Sequence, residues 1–171
     1  MIRKAVEGDI SSVAAIYAAI LEIEEKERKT GWLKGIYPIE ETARAALGRD
    51  DLFVMEESGR ILACAVINKI QVDVYADCEW SLSVPGDKVM VLHTLCVLPG
   101  ENRRGLGTEF VRFYEDYAKA CGCLTLRMDT NEINTRARAM YKKLGYREVG
   151  TVPCVFNGIP NVMLVCLEKN L

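Results

Sequence analysis

Asn102-Arg103-Arg104-Gly105-Leu106-Gly107-Thr108 is the stretch that decides the fold of this 171-residue chain. It follows an almost wholly apolar run, Val89 to Leu98, and precedes a long amphipathic one, Leu106 to Cys121. A buried strand that turns through glycines into a helix makes an anion site. The first amides of the helix point outward, with the positive end of the helix dipole behind them. Glycines let an oxygen-rich ligand approach the backbone, and Arg103 and Arg104 add charge. The stretch therefore implies a phosphate-bearing small molecule. It is not a P-loop, because no Gly-Lys-Ser/Thr follows. Nor is it a dinucleotide fingerprint, since the third glycine is missing and no βαβ unit precedes it.

Outward from this turn, Val89 to Leu98 is apolar on both faces, which predicts a central strand covered on both sides. The following helix carries Leu106, Phe110, Tyr114, Tyr117 and Cys121 on one stripe and stops at Gly122. A strand over Cys123 to Met128 comes next. Asn134 to Leu144 then has a short helical pattern, with Ala137, Met140, Tyr141 and Leu144 inward and Gly145 as its stop. Tyr146 to Val152 and Val162 to Leu167 read as a closing hairpin joined through Asn157-Gly158 and Pro160.

On the N-terminal side, Tyr75 to Gly86 reads as a loop or a locally variable insertion, and Leu52–Glu56 and Arg60–Ile70 as a hairpin around Ser58-Gly59. Ile2 to Ala5 makes a first strand. Asp9 is placed to cap a helix whose Ile10, Val13, Tyr17, Ile20 and Leu21 share one face. The charged end of that helix, Glu22 to Lys29, reads as solvated. Gly31 to Tyr37 breaks the pattern, and Pro38 opens a second helix ending near Leu47. The order is strand, two helices, three strands, helix, strand, helix, two strands. This predicts a single α/β domain over residues 1–171, with a mixed, largely antiparallel sheet and helices on both faces.

Half the residues are hydrophobic and the net charge is −2, which gives no basic field for nucleic acid. No apolar stretch is long enough to span a bilayer, and Met1-Ile2-Arg3-Lys4 leads into a strand rather than a signal peptide. A cytoplasmic location is expected. The seven cysteines, Cys64, Cys78, Cys96, Cys121, Cys123, Cys154 and Cys166, show no C-x-x-C pair and sit mostly in apolar runs. They read as reduced thiols. With His93 the only histidine, no metal site is expected.

His93 alternates with Val91 and Leu95 and so projects from the central strand, where an imidazole can accept a proton near neutral pH. Glu79 and Asp77, in the preceding loop, are rivals for that role and for holding a cationic substrate. Cys96 would alternate away from His93 and has no base partner nearby, which argues against a thiol nucleophile.

A second segment, Asn134-Thr135-Arg136-Ala137-Arg138-Ala139-Met140-Tyr141-Lys142-Lys143-Leu144-Gly145-Tyr146, lies downstream of the glycine turn. With the two in this order, the chain resembles the GNAT superfamily of acetyl-CoA-dependent N-acetyltransferases. Their pyrophosphate turn reads Gln or Arg, two residues, Gly, any residue, Gly or Ala; here Asn102 departs at the first position. The second segment matches Asn-x-x-Ala-x-x-x-Tyr-x-x-x-Gly-Phe/Tyr without a gap.

The resemblance implies a GNAT-like acyl-CoA N-acyltransferase fold with acetyl-CoA as co-substrate. It assigns the pyrophosphate to the turn Asn102, Arg103, Arg104, Gly105, Leu106, Gly107 and Thr108, chiefly through the amides of Arg104 to Thr108. It assigns pantetheine to the strand segment Leu95-Cys96-Val97, in a gap where that strand splays from the next, and to Asn134 and Ala137. Tyr141 matches the family tyrosine near the thioester sulfur, a general acid for the leaving thiolate. Trp32, Tyr37 and Trp80 fall in stretches where the family's acceptor walls vary. The implied reaction is direct transfer to the primary amine of a small molecule in a ternary complex. A peptide or protein N-acetyltransferase, or an acyl-CoA-binding module without chemistry, are the alternatives. No nucleic acid or membrane partner is implied, and a homodimer through the C-terminal strands is one arrangement the resemblance allows.

Overall fold

Apolar runs of alternating direction build one seven-stranded sheet in the computed structural model, which describes residues 1–101 and 104–171. The strands are β1 (Ile2–Lys4), β2 (Leu52–Glu57), β3 (Arg60–Asn68), β4 (Val89–Val97), β5 (Thr125–Asn131), β6 (Arg147–Phe156) and β7 (Ile159–Asn170). Their order across the sheet is β1-β2-β3-β4-β5-β7-β6. Every neighbouring pair is antiparallel except β4 and β5. The helices are α1 (Ile10–Glu27), α2 (Glu40–Gly48), α3 (Leu106–Ala120) and α4 (Thr135–Lys143).

The doubly apolar character of β4 follows from cover on both faces of the sheet. On one side Phe110, Val111 and Tyr114 of α3 and Tyr141 of α4 cover Met90, Leu92, Leu126 and Met128. On the other, Val13 and Tyr17 of α1 and Ala43 and Ala46 of α2 cover Leu52, Val54, Cys64 and Val66. A third cluster joins Val89 and Val91 to the β6–β7 hairpin and to Tyr75, in the single turn Asp73–Asp77.

The β4–β5 ladder runs only from Val89 opposite Thr125 to Leu92 opposite Met128. Beyond it, β4 stays with β3 as far as Val97 opposite Ala63, while β5 stays with β7 as far as Asn131 opposite Leu164. The sheet therefore forks at the carboxyl ends of its one parallel pair. Tyr114 clamps the strands just below the split: its hydroxyl lies 2.7 Å from Met90 O and 3.1 Å from Arg127 O.

A bulge lies at the split. His93 pairs with Val66 and Cys96 with Cys64, so β4 has one residue more than β3 across this span. Thr94 absorbs it at φ +52°, an unfavourable conformation for a β-branched residue, and its Oγ1 is hydrogen-bonded to the Tyr37 hydroxyl. Strict alternation placed His93 with Leu95 and against Cys96, and the bulge reverses this. His93 and Cys96 share the α1/α2 face through their partners Val66 and Cys64, while Leu95 and Val97 pack on the α3/α4 side.

Other expectations are corrected locally. Asp9 precedes α1, but its carboxylate turns back to accept from Val6 N–H at 2.9 Å and pairs with Arg3 at 2.7 Å. Cys121 is exposed, so the buried stripe of α3 runs through Val111 and Ala118. β5 reaches Asn131, three residues past the expected end.

Glu24 is buried rather than solvated. Its carboxylate accepts from the amides of Lys29 and Thr30 at 2.9 Å and of Gly31 at 2.6 Å. This fixes the 30–32 loop against the end of β5, where a Cβ on Gly31 would come within 2.3 Å of Asn131 Nδ2. Glu24→Ala is expected to lower the unfolding free energy by about 2–3 kcal/mol, the scale of lost hydrogen bonds to a charged acceptor. Urea denaturation reads it, and an unchanged midpoint would exclude the anchoring role.

Candidate active site

The fork opens two cavities that meet. The outer one, about 1080 Å³, runs between Leu95 and Val97 of β4, the turn Gly105–Thr108 and Ala137 and Met140 of α4. The inner one, about 680 Å³, is a chamber between the arms of the fork, closed by the 30–32 loop and by Pro153–Asn157 of β6 and its turn. Thr30, Leu95, Asn134 and Ala137 line both.

The outer groove offers backbone donors at two places. Gly105, at φ +80°, ends the turn and begins α3, and the first amide satisfied within that helix is Glu109 N–H, on Gly105 O. The amides of Leu106, Gly107 and Thr108 have no intrahelical acceptor. On β4, Leu98 N–H bonds Leu62 O of β3. Alternation then turns Cys96 to β3, and Leu95 and Val97 toward the side that β5 has left. A long, flexible ligand can add to this edge as a strand would.

In the chamber, His93 Nε2 lies 3.1 Å from both Asn68 Oδ1 and Ile70 O. Asn68 is oriented by its Nδ2 donating to Asp51 at 2.8 Å, which leaves Oδ1 as an acceptor. His93 Nε2 is therefore the protonated nitrogen, and Nδ1 carries the lone pair. Burial pushes the His93 pKa down to about 4, so the ring is neutral at physiological pH. Tyr141 is buried beside the chamber, and burial pushes its hydroxyl well above the usual tyrosine range, keeping it protonated. Trp32, Tyr37 and Phe156 form an edge-to-face aromatic wall, with centroids 5.9 Å and 5.5 Å apart.

One inward carboxylate of the chamber escaped the sequence reading. Asp129, on the β5 arm, accepts a hydrogen bond from the Tyr75 hydroxyl at 2.7 Å, and burial pushes its carboxyl up to about 6. The signal was an acidic residue at the carboxyl end of an apolar strand, where open α/β sheets place their ligands. It was missed because β5 was ended at Met128.

Several expected site residues lie elsewhere or act differently. Trp80 donates from Nε1 to Tyr75 O at 2.7 Å and carries the Arg127 guanidinium 4.0 Å above its ring; it does not line the chamber. Glu79 and Asp77 are exposed outside it. The Arg104 guanidinium is held by Glu101 at 2.7 Å and Glu57 at 2.8 Å, so this residue offers the turn its backbone more than its charge. Asn134 caps α4 by accepting from Ala137 N–H at 3.2 Å. The Cys96 thiol is buried beside Cys64 and pushed far up, an inert group. Asn102 and Arg103 lie outside the described residues. Among the described residues, no cluster of His, Cys, Asp and Glu is arranged to hold a metal ion, and no helix is long and apolar enough to cross a membrane.

A split parallel pair beside a glycine-started helix defines an α/β scaffold with an open sheet edge. The model of the Acetyltransferase (GNAT) family matches residues 17–146, most of the chain, and the chain belongs to that family. An uncharacterised N-acetyltransferase of Methanocaldococcus jannaschii is 30% identical over 97 residues, covering 57% of this chain and 42% of its own length. The chain thus spans under half the length of the curated relatives it matches. A GNAT-family acetyltransferase structure from Streptococcus agalactiae superposes with a TM-score of 0.79 at 21% identity, covering 100% of this chain and 95% of that one. The yncA structure from Salmonella typhimurium, solved with its cofactor acetyl-CoA, gives 0.70 at 16% identity, covering 100% and 93%. At these identities the likeness is one of fold.

The residues present fit such a thioester ligand. A Cβ on Gly107 would stand 3.3 Å from Met140 Sδ, so glycine keeps the groove open where α3 and α4 approach. The unpaired edge of Leu95 and Val97 leads from that point to the chamber.

Proposed function

We propose that the chain is an acetyl-CoA-dependent N-acetyltransferase acting on the primary amine of a small molecule, by direct attack in a ternary complex. The observation that carries this reading is the junction of groove and chamber at Leu95, Asn134 and Ala137. A ligand held along the groove meets the chamber there. A chamber of about 680 Å³ walled by the 30–32 loop and β6 favours a small acceptor over a protein segment, and seven free cysteines suit a reducing, cytoplasmic setting.

Acetyl-CoA supplies an activated acetyl group as a thioester. The amides of Leu106, Gly107 and Thr108 hold its pyrophosphate, and the backbone of Leu95 and Val97 holds its arm. An N–H on that edge also stabilises negative charge on the carbonyl oxygen. Tyr141 gives its hydroxyl proton to the departing sulfur. His93, neutral and with Nδ1 free of the ring proton, accepts a proton from the nitrogen as it becomes acidic on attack.

Saturating CoA should raise the melting temperature, by the equivalent of about 2.7 kcal/mol at 100 times the dissociation constant. Thiol release from acetyl-CoA should then appear with some members of a panel of small primary amines. Stabilisation by CoA with no release across the panel would favour a binding module. An unshifted melting curve would sink the donor site as well.

A further inference from the structure

Val91 and Arg127 are opposite each other in the parallel ladder. Two residues further along each strand are His93 and Asp129, on the same face, one on each arm of the fork. The split thus opens between an imidazole and a carboxylate. The charged side chains lining the chamber among the described residues are Arg49, Asp73 and Asp129, and His93 is neutral. Arg49 is engaged by the buried Asp51, with Nε and Nη2 at 3.0 and 3.4 Å from its two oxygens. Asp73 is exposed at the rim. Asp129 accepts from Tyr75 and meets no lysine or arginine among the described residues. An apolar, aromatic wall and one inward carboxylate without a counter-ion leave a cation's place open.

We infer that Asp129 receives the ammonium group of the acceptor and takes its proton, and that the chamber selects a primary amine on an apolar, aromatic-sized body with no carboxylate beside the nitrogen. The inference rests on the acetyltransfer reading above. A carboxylate beside the amine would lie against Asp129 and Asp73, with the one lining cation already matched by Asp51. Like charges at such range in a partly desolvated site cost selectivity rather than adding it. The aromatic wall gives an apolar body its burial.

The proton step is balanced: R–NH3+ and the Asp129 carboxylate become R–NH2 and a carboxylic acid, which returns its proton to water. His93, at about 4, is poorly matched to a protonated amine, whereas a carboxyl raised to about 6 is ionised at neutral pH and a stronger base. The groups facing it are Tyr75, Tyr37 of the α1–α2 connection, Tyr141 of α4, Cys154 of β6 and Cys166 of β7. Burial pushes each of these up, so all are neutral where Asp129 titrates.

The test uses 2-phenylethylamine and phenylalanine, which differ by the carboxylate, with acetyl-CoA and the full chain. Calorimetry on the CoA complex should show phenylethylamine binding and phenylalanine not. kcat/KM should differ by about 100-fold or more, within the span of a base plus a charge clash. Asp129→Asn should lose both phenylethylamine binding and about 100-fold in kcat/KM while keeping its CoA affinity. In the wild-type protein, activity should fall as pH drops through about 6. The Tyr75 hydrogen bond favours the ionised carboxylate, so Tyr75→Phe should move that limb upward. This second variant carries the test if Asp129→Asn does not fold. Equal treatment of the two amines, including binding of neither, overturns the proposal, as does an Asp129→Asn protein with wild-type behaviour or a limb that Tyr75→Phe leaves in place. Failure to bind CoA at all overturns the acetyltransfer reading beneath it.

Discussion

Gly107→Glu should abolish acetyl-CoA binding, with a calorimetric dissociation constant at least about 100-fold weaker, or about 2.7 kcal/mol. Two effects add. The first side-chain carbon would stand 3.3 Å from Met140 Sδ, tighter than a neighbour accepts without moving, so the side chain is forced toward the groove. There it brings a carboxylate to the amides of Leu106 and Thr108, the partners proposed for pyrophosphate. It occupies the anion's donors and repels the anion itself. Gly107→Ala, carrying the bulk alone, should lose much less, because the flexible Met140 can give way. Gly105 differs: a Cβ there meets nothing within 4 Å, and φ +80° makes its cost one of backbone strain, seen in melting rather than in affinity. Unchanged CoA affinity in Gly107→Glu would remove the turn from the donor site.

Tyr141→Phe should lower kcat by about 100-fold, the lower bound of a positioned acid, while acetyl-CoA affinity changes less than about 3-fold. The ring keeps its place in the α3/α4 core and its edge contact with Tyr146, so the variant loses a proton donor and little packing. Burial holds the wild-type hydroxyl protonated across the working pH range, the state a donor requires. Equal turnover in the two proteins would leave Tyr141 a core aromatic and assign the sulfur's proton to solvent.

The glycine turn and the Asn134 helix, proposed above as the two ends of the donor site, are legible as local structure because local sequence fixes them. Glycines at 105 and 107 sit between a doubly buried strand and an amphipathic helix, and Asn134 to Tyr146 supplies the partner helix with its own cap and stop. Element order was readable for the same reason. The chamber was less so, because long-range geometry assembles it. His93 was correctly projected from β4, yet its relation to Leu95 and Cys96 was inverted by a bulge that no residue type announces. Glu24 looked like one charge in a solvated run, and only the folded loop gives its carboxylate three amides to hold. The resemblance puts Trp80 in a stretch that forms acceptor walls, whereas its ring is taken by Arg127. Asp129 depended on where β5 stops, the least certain boundary in a sequence reading.

The sheet is one residue out of phase with itself at Thr94, and the fork between β4 and β5 opens at that dislocation. Deleting Thr94 would bring Leu95 opposite Ala65 and make the β3–β4 ladder regular, while Cys96 stayed opposite Cys64 and Val97 opposite Ala63. What would be lost is the extra twist that a bulge puts into its strand where β4 leaves β5, and with it the hydroxyl that Tyr37 holds.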